Sequence, residues 1–189
     1  MKQKFSILVM CLCAVVASSQ AEDEKKKPME MKPHKGSAEL ERIKSLAGKW
    51  RGSMGGMKLE VEYTVVAGGS AVLERTFPGT EMEMVTMYND DKAGKLVMTH
   101  YCMLKNRPHL KLKASDEKSI SMELDPDGEV DADKEMHMHA VVFTFVSDDE
   151  IEQMWTTYAN GKAEEPKPMT FKRVKKKAKK AKAKKEEAK

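Results

Sequence analysis

The sequence predicts an all-β fold, an antiparallel up-and-down barrel of about nine or ten strands preceded by one short helix. Apolar and polar residues alternate along most of residues 49–174, and a half-solvated strand requires this period of two. Short Gly-, Pro- and Asp-containing segments separate the alternating runs without intervening helices, which argues against a parallel α/β fold. Consecutive hairpins can close into a barrel and so avoid open edges, while a two-sheet sandwich is the structural alternative.

The first 21 residues have the pattern of a secretory signal peptide. Lys2 and Lys4 give a positive start, residues 5–17 are apolar apart from one serine, and Ala21 ends a small-residue cleavage site. The apolar run is shorter than the roughly 20 residues that span a bilayer, so we expect no transmembrane segment and a periplasmic or secreted protein. Lipidation at Cys11 is the less favoured alternative, because Met10 is larger than the residue expected before a lipidated cysteine.

Removal of this signal leaves Cys102 as the one cysteine of the mature chain. No internal disulfide can then form, so a packed core must hold the fold together. The thiol in an oxidising compartment is buried, bound to a ligand, or paired between chains.

Composition divides the mature chain into a charged arm (22–36), the barrel domain (37–174) and a basic tail (175–189). The arm is too polar to fold alone, and the Lys/Ala-rich tail repels itself, so we expect both to be disordered. The tail could bind an anionic surface or polyanion through its charge, whereas its lack of aromatic residues argues against specific nucleic-acid recognition. The whole chain has a formal net charge of +4, although the barrel domain is acidic.

The elements follow in order. Ser37 is a predicted helix cap, Leu40 and Ile43 begin a helical apolar pattern, and Gly48 is expected to end the helix. An acidic segment, 126–133, is the longest expected loop. The predicted strands are 57–65, 71–77, 81–88, 96–104, 109–114, 119–124, 137–146, 152–158 and 169–174.

The segment 46–52, Leu-Ala-Gly-Lys-Trp-Arg-Gly after a short helix, resembles the start of lipocalin-like (calycin-type) barrels, in which a Gly-x-Trp closes one end. Three further segments follow in order: Thr99-His100-Tyr101-Cys102 with Asn106-Arg107-Pro108, then His137-Met138-His139, then Trp155 with Gly161-Lys162. With these segments, residues 40–174 are similar to a family of bacterial exported proteins of unknown function that have such barrels. This resemblance implies a barrel fold and no particular activity. The related nitrobindin-type barrels bind haem through a histidine, but their longer pattern is absent from this sequence.

Two pairs of residues could supply a metal or ligand site. His100 and Cys102 are two apart on one predicted strand, as are His137 and His139 on another, so each pair shares a strand face. If both faces line the barrel interior, three imidazoles and one thiolate converge, a donor set that suits zinc or copper. The same groups could instead orient an organic ligand or haem, with Tyr101 or Trp155 nearby.

The strand register decides whether these histidines can act in this way. One reading places His137, His139, Val141 and Phe143 on a core face, where the histidines only pack and hydrogen-bond. The other turns Met136, Met138 and Ala140 inward and exposes both histidines, because a one-residue slip exchanges the two faces.

The chain contains 16 methionines, several of them in close pairs such as Met82 with Met84 and Met136 with Met138. Thioethers suit Cu(I), yet methionine is also a flexible filler that gives a cavity adaptable walls, and its scatter over many strands favours the second use.

No nucleophile elbow, phosphate loop, HExxH or CxxC occurs, so we expect a protein that is not an enzyme. The sequence identifies no cofactor. It favours a barrel that binds a small, largely apolar molecule, with His100, Tyr101, Cys102, His137, His139 and Trp155 as candidate ligand residues. A zinc, copper or haem protein that uses the four His and Cys donors is the second reading. A structural module tethered to anionic surfaces by its tail is the third.

Overall fold

The computed structural model describes residues 32–175. The predicted signal peptide, residues 22–31 of the charged arm and the tail beyond Lys175 lie outside these residues, so the assignments made for them stay predictions. No helix within residues 32–175 is both long and apolar enough to cross a membrane.

Ten antiparallel strands form a closed barrel, and one short helix precedes them, as the sequence predicts. Neighbours in the sheet are mostly neighbours in the chain. Strand β9 (Glu150–Ala159) closes the circle by pairing with both β8 (His137–Ser147) and β11 (Lys167–Arg173). The two-residue strand β10 (Lys162–Ala163) extends the edge of β9 outside this circle. The architecture is consistent with a lipocalin-like barrel. In chain order the elements are α1 (Ala38–Ser45), β1 (Gly48–Met54), β2 (Met57–Val66), β3 (Ala71–Thr76), β4 (Met84–Asp90), β5 (Leu96–Tyr101), β6 (His109–Ser115), β7 (Ser119–Leu124), β8 (His137–Ser147), β9 (Glu150–Ala159), β10 (Lys162–Ala163) and β11 (Lys167–Arg173).

Two strand ends differ from the prediction in ways that affect the site. Strand β5 ends at Tyr101, and Cys102 begins a turn in which its carbonyl oxygen accepts from the amide of Lys105 at 3.0 Å. Strand β4 begins only at Met84, so Met82 lies before the strand and does not share a strand face with Met84.

Strand β1 was not predicted, because it contains two glycines and buries a single large side chain, that of Trp50.

The helix covers one end of the barrel. The hydroxyl of Ser37 accepts from the amide of Leu40 at 3.0 Å, as a helix cap does, and Leu40 and Ile43 are fully buried in the barrel core. The indole Nε1–H of Trp50 donates to the carbonyl oxygen of Leu46 at 2.7 Å, and the guanidinium of Arg173 lies 4.2 Å above the Trp50 ring. The Gly-x-Trp segment therefore closes this end, as the resemblance implies.

Apolar residues from every part of the barrel pack inside it. Cross-strand partners share a face, so the register places Tyr88, Met98 and Leu110 together in the interior. The fully or nearly buried interior residues include Leu59, Val61, Tyr63, Val72, Tyr88, Leu96, Met98, Leu110, Ile120, Met122, Val141, Phe143, Ile151, Trp155 and Phe171.

Candidate functional site

A cavity of about 330 Å³ lies at the end of the barrel opposite the helix. The ends of β1, β3, β5 and β9 and the starts of β4, β8 and β11 surround it, since these strands all reach this end. Most of the wall is apolar. The cavity is lined by Met54, Leu59, Thr76, Phe77, Met84, His100, Cys102, Met136, Met138, Trp155, Thr157, Glu164, Glu165, Lys167 and Met169.

Three of the predicted ligand residues, His100, Cys102 and Trp155, line this cavity. His100 projects inward from β5, and its ring centroid lies 5.3 Å from that of Trp155 on β9. Nδ1 of His100 lies 2.8 Å from the hydroxyl oxygen of Thr86, its cross-strand partner on β4. Burial lowers the pKa of His100 to about 4, so this imidazole is neutral at physiological pH. It can therefore exchange hydrogen bonds with a ligand without bringing a charge into the cavity.

His137 and His139 lie outside the barrel wall, because a β-bulge interrupts β8 at this point. The register pairs Met138 with Thr157 and then Ala140 with Thr156, which leaves His139 as the extra residue. Met138 consequently faces the cavity together with Thr157, while His139 stacks on the outward-facing ring of Tyr158 with centroids 3.7 Å apart.

The bulge means that neither of the two predicted faces of β8 is continuous. Val141 and Phe143 point inward after the bulge, and Met138 points inward before it. A single period of two therefore cannot describe β8 both before and after the bulge. The alternation of apolar and polar residues in the sequence does not reveal the inserted residue.

The two outer histidines hydrogen-bond each other. Nδ1 of His137 donates to the carbonyl oxygen of Glu135 at 2.7 Å, which leaves its Nε2 to accept from Nδ1–H of His139 at 3.0 Å. Partial burial, and secondarily the neighbouring His137, lowers the pKa of His139. The pair connects the loop before β8 to the outer surface of the wall.

The four predicted metal donors are therefore not brought together. His100 and Cys102 line the cavity, whereas His137 and His139 form a separate outer pair. Within residues 32–175 no group of three or more His, Cys, Asp and Glu side chains is placed to hold a metal ion. Tyr101 also lies outside the cavity: it follows His100 in β5, points outward and is 52% exposed.

Methionines are concentrated around the cavity. Met54, Met84, Met136, Met138 and Met169 come from different strands or strand ends and supply a third of the lining residues. Unbranched thioether side chains can change rotamer to fit differently shaped apolar molecules. This arrangement fits the use of methionine that the sequence analysis favoured.

A network of buried polar side chains, which the sequence analysis missed, lies inside the barrel beside the cavity. The Tyr88 hydroxyl donates to Oε2 of Glu74 at 2.6 Å, and the Thr76 hydroxyl donates to Oε1 of the same carboxylate at 3.1 Å. Tyr63 on β2 is the cross-strand partner of Glu74, and its hydroxyl accepts from Nε2 of Gln153 on β9 at 2.6 Å. The Trp155 indole N–H donates to Oε1 of Gln153 at 3.0 Å, so the network reaches the cavity wall.

Burial raises the pKa of Glu74, while hydrogen bonds from Tyr88, Tyr63 and Thr76 act in the opposite direction. Glu74 makes no ion pair with any other residue of the described chain. A signal for it does exist in the sequence. Val72, Glu74 and Thr76 occupy alternate positions of β3, so the two polar residues fall in the phase that an inward-facing strand normally fills with apolar side chains.

No family model matches the chain, and no curated protein matches it significantly.

Proposed function

We propose that this chain is an exported, non-enzymatic barrel that binds a small, largely apolar molecule in the cavity at the end opposite the helix. The observation that carries the proposal is the cavity itself. Its volume of about 330 Å³ falls at the lower end of the range for small-molecule pockets, roughly 300 to 1,000 Å³. Its wall combines methionine and aromatic side chains with a few polar groups, which is the usual composition of such pockets.

The polar groups support binding rather than reaction. The Trp155 N–H and the Thr76 hydroxyl are both committed to buried partners. Within residues 32–175 no hydrogen bond joins the Cys102 thiol to the imidazole of His100, so the thiol has no base positioned to activate it. Export is supported by the signal-like pattern of residues 1–21.

A titration with N-phenyl-1-naphthylamine, a neutral probe that becomes fluorescent in apolar surroundings, tests the proposal. We expect saturable binding at one site per chain. Met138→Trp places an indole in the cavity and should weaken binding by roughly tenfold, equivalent to about 1.4 kcal/mol. Met154→Trp is the matched control, because Met154 lies on the outer face of β9 and is 41% exposed. Unsaturable binding, or equal affinity of both variants, would contradict the proposal.

A further inference from the structure

Glu74 is a buried acid without a cationic partner. Its side chain is 2% exposed, and every ion pair within residues 32–175 involves other carboxylates. An ionised carboxylate in such surroundings is costly unless a positive charge lies nearby. Thr76 both lines the cavity and donates to Oε1 of Glu74, so it links the buried acid to the cavity.

We propose that the ligand of this cavity is a monocationic amine with an apolar body, whose ammonium group lies at the Thr76 side of the cavity and is attracted by the carboxylate of Glu74. This inference rests on the proposed function, because it names the class of molecule that the cavity takes.

Hydrogen-bond direction favours an ammonium at this place. The hydroxyl proton of Thr76 is donated to Glu74, so a ligand can meet the Thr76 oxygen only as a hydrogen-bond acceptor. The indole N–H of Trp155 is likewise committed to Gln153. The Thr76 and Trp155 parts of the wall therefore offer an oxygen acceptor and an aromatic face, and an ammonium carries only donors.

The aromatic residues and the cavity mouth agree with this assignment. Trp155 and Phe77 line the cavity, and the face of an aromatic ring attracts a cation. At the mouth Glu164 and Glu165 accompany a single Lys167, so the charge there is net negative. A cation is favoured at both ends of its path, whereas a carboxylate ligand would be repelled at both.

Isothermal titration calorimetry with two matched compounds tests the inference. 2-(2-Naphthyl)ethylamine and 2-(2-naphthyl)ethanol share one apolar body and differ in the ammonium and hydroxyl groups. We expect the protein to bind the amine at least roughly tenfold more tightly than the alcohol, because the buried carboxylate attracts only the charged compound. Glu74→Gln should abolish this preference and leave alcohol binding unchanged. Glu152→Gln, at an exposed position on the outer face of β9, should keep the preference.

The outcomes separate the two proposals. Equal affinities for amine and alcohol in the unmodified protein, or a preference that survives in Glu74→Gln, would overturn the amine assignment while leaving the apolar-ligand function intact. Binding of neither compound would overturn both.

The salt dependence of the preference for the amine is a second measurement on the unmodified protein. It tests the role of Glu74 even if Glu74→Gln does not fold. In 1 M NaCl the screening length is about 3 Å, so attraction to the exposed carboxylates at the mouth disappears while attraction to a buried carboxylate persists. A retained preference for the amine supports the role of Glu74. Loss of the preference in salt would assign it to the mouth and overturn the inference.

Discussion

Inside the barrel the hydroxyl of Tyr88 donates a 2.6 Å hydrogen bond to Oε2 of Glu74, and both side chains are screened from solvent. The ring of Tyr88 packs edge-on against Phe143 with centroids 6.1 Å apart, so the same residue joins the polar network to the apolar core. The carboxylate of Glu74 is therefore held at a defined place beside the cavity. We expect both the stability of the fold and the proposed preference for an amine ligand to depend on this hydrogen bond.

Replacement of Tyr88 by phenylalanine should destabilise the fold. The variant keeps the ring packing and removes one donor from a buried carboxylate, which typically costs about 1–3 kcal/mol of unfolding free energy. Urea denaturation followed by circular dichroism measures the change. The same substitution at Tyr101, which is exposed on the outer wall, is the control and should leave stability unchanged. Equal stabilities of the two variants would show that the Tyr88 hydroxyl contributes nothing.

Stability should depend on pH through His100. Burial lowers its pKa from 6.5 to about 4 in the folded protein, so below pH 6.5 the unfolded chain binds the proton more readily. The free energy of unfolding should therefore decline as the pH falls from about 6.5 to 4, by up to about 3 kcal/mol from this residue. Burial raises the pKa of Glu74, so at pH values above its unfolded pKa this residue lowers the free energy of unfolding as the pH rises. Glu74 is present both in the unmodified protein and in a His100 variant, so its contribution cancels when the two are compared.

The contribution of His100 is isolated by comparison with His100→Gln, whose amide can still bond Thr86. Chemical denaturation of both proteins at pH 7, 6, 5 and 4.5 gives the difference in unfolding free energy. We expect this difference to move in favour of the variant as the pH falls. Parallel curves would mean that His100 takes up a proton in the folded state as easily as in the unfolded chain.

Alanine at Gly52 should destabilise the barrel. A Cβ atom there would lie 2.3 Å from the carbonyl oxygen of Thr170 and 2.7 Å from the ring of Phe171, where β1 and β11 close the barrel. Neither a ladder carbonyl nor a fully buried ring can yield easily, so we expect a loss of about 1–3 kcal/mol. Thermal denaturation measures it against Ser53→Ala on the same strand. A melting temperature equal to that of the control would refute this close approach.

His139→Ala should leave ligand binding unchanged, although the sequence alone made His139 a candidate ligand residue. The imidazole stacks on Tyr158 outside the wall and lies beyond the cavity lining. The affinity for N-phenyl-1-naphthylamine should match that of the unmodified protein within experimental error. A clear loss of affinity would place His139 at the site and contradict the bulge described for β8.

Local patterns predicted the elements that local interactions build. Ser37 as the cap and Leu40 and Ile43 as the buried face follow from helical spacing, and the structure confirms them. Alternation predicted about nine or ten strands, and their consecutive hairpins favoured the closed barrel that the structure shows. Strand β1 was not predicted, because its formation depends on pairing with β2 and β11 and its own sequence has little alternation.

The site was predictable only in part, because two features that decide it are not local. The bulge at His139 arises from pairing between β8 and β9, and it moves two histidines outside the barrel. The Glu74 network joins side chains of strands that are far apart in the chain, such as Tyr63 on β2 and Gln153 on β9. Only the two polar residues in the inward phase of β3, Glu74 and Thr76, were visible in the sequence. His100 and Trp155 were predicted correctly as cavity residues, because each lies at an inward-facing position of a strand without a bulge.

The central claim, that an apolar molecule occupies the cavity, is tested most directly by short-range fluorescence quenching with 1-bromooctane. The chain contains two tryptophans, Trp155 in the cavity wall and Trp50 beneath the helix at the opposite end. A bound bromine quenches only an indole that it contacts. In Trp50→Phe we expect saturable quenching of Trp155, and in Trp155→Phe we expect none, with octane inert in both. Quenching of Trp50, or no quenching of Trp155 at saturation, would contradict binding in this cavity.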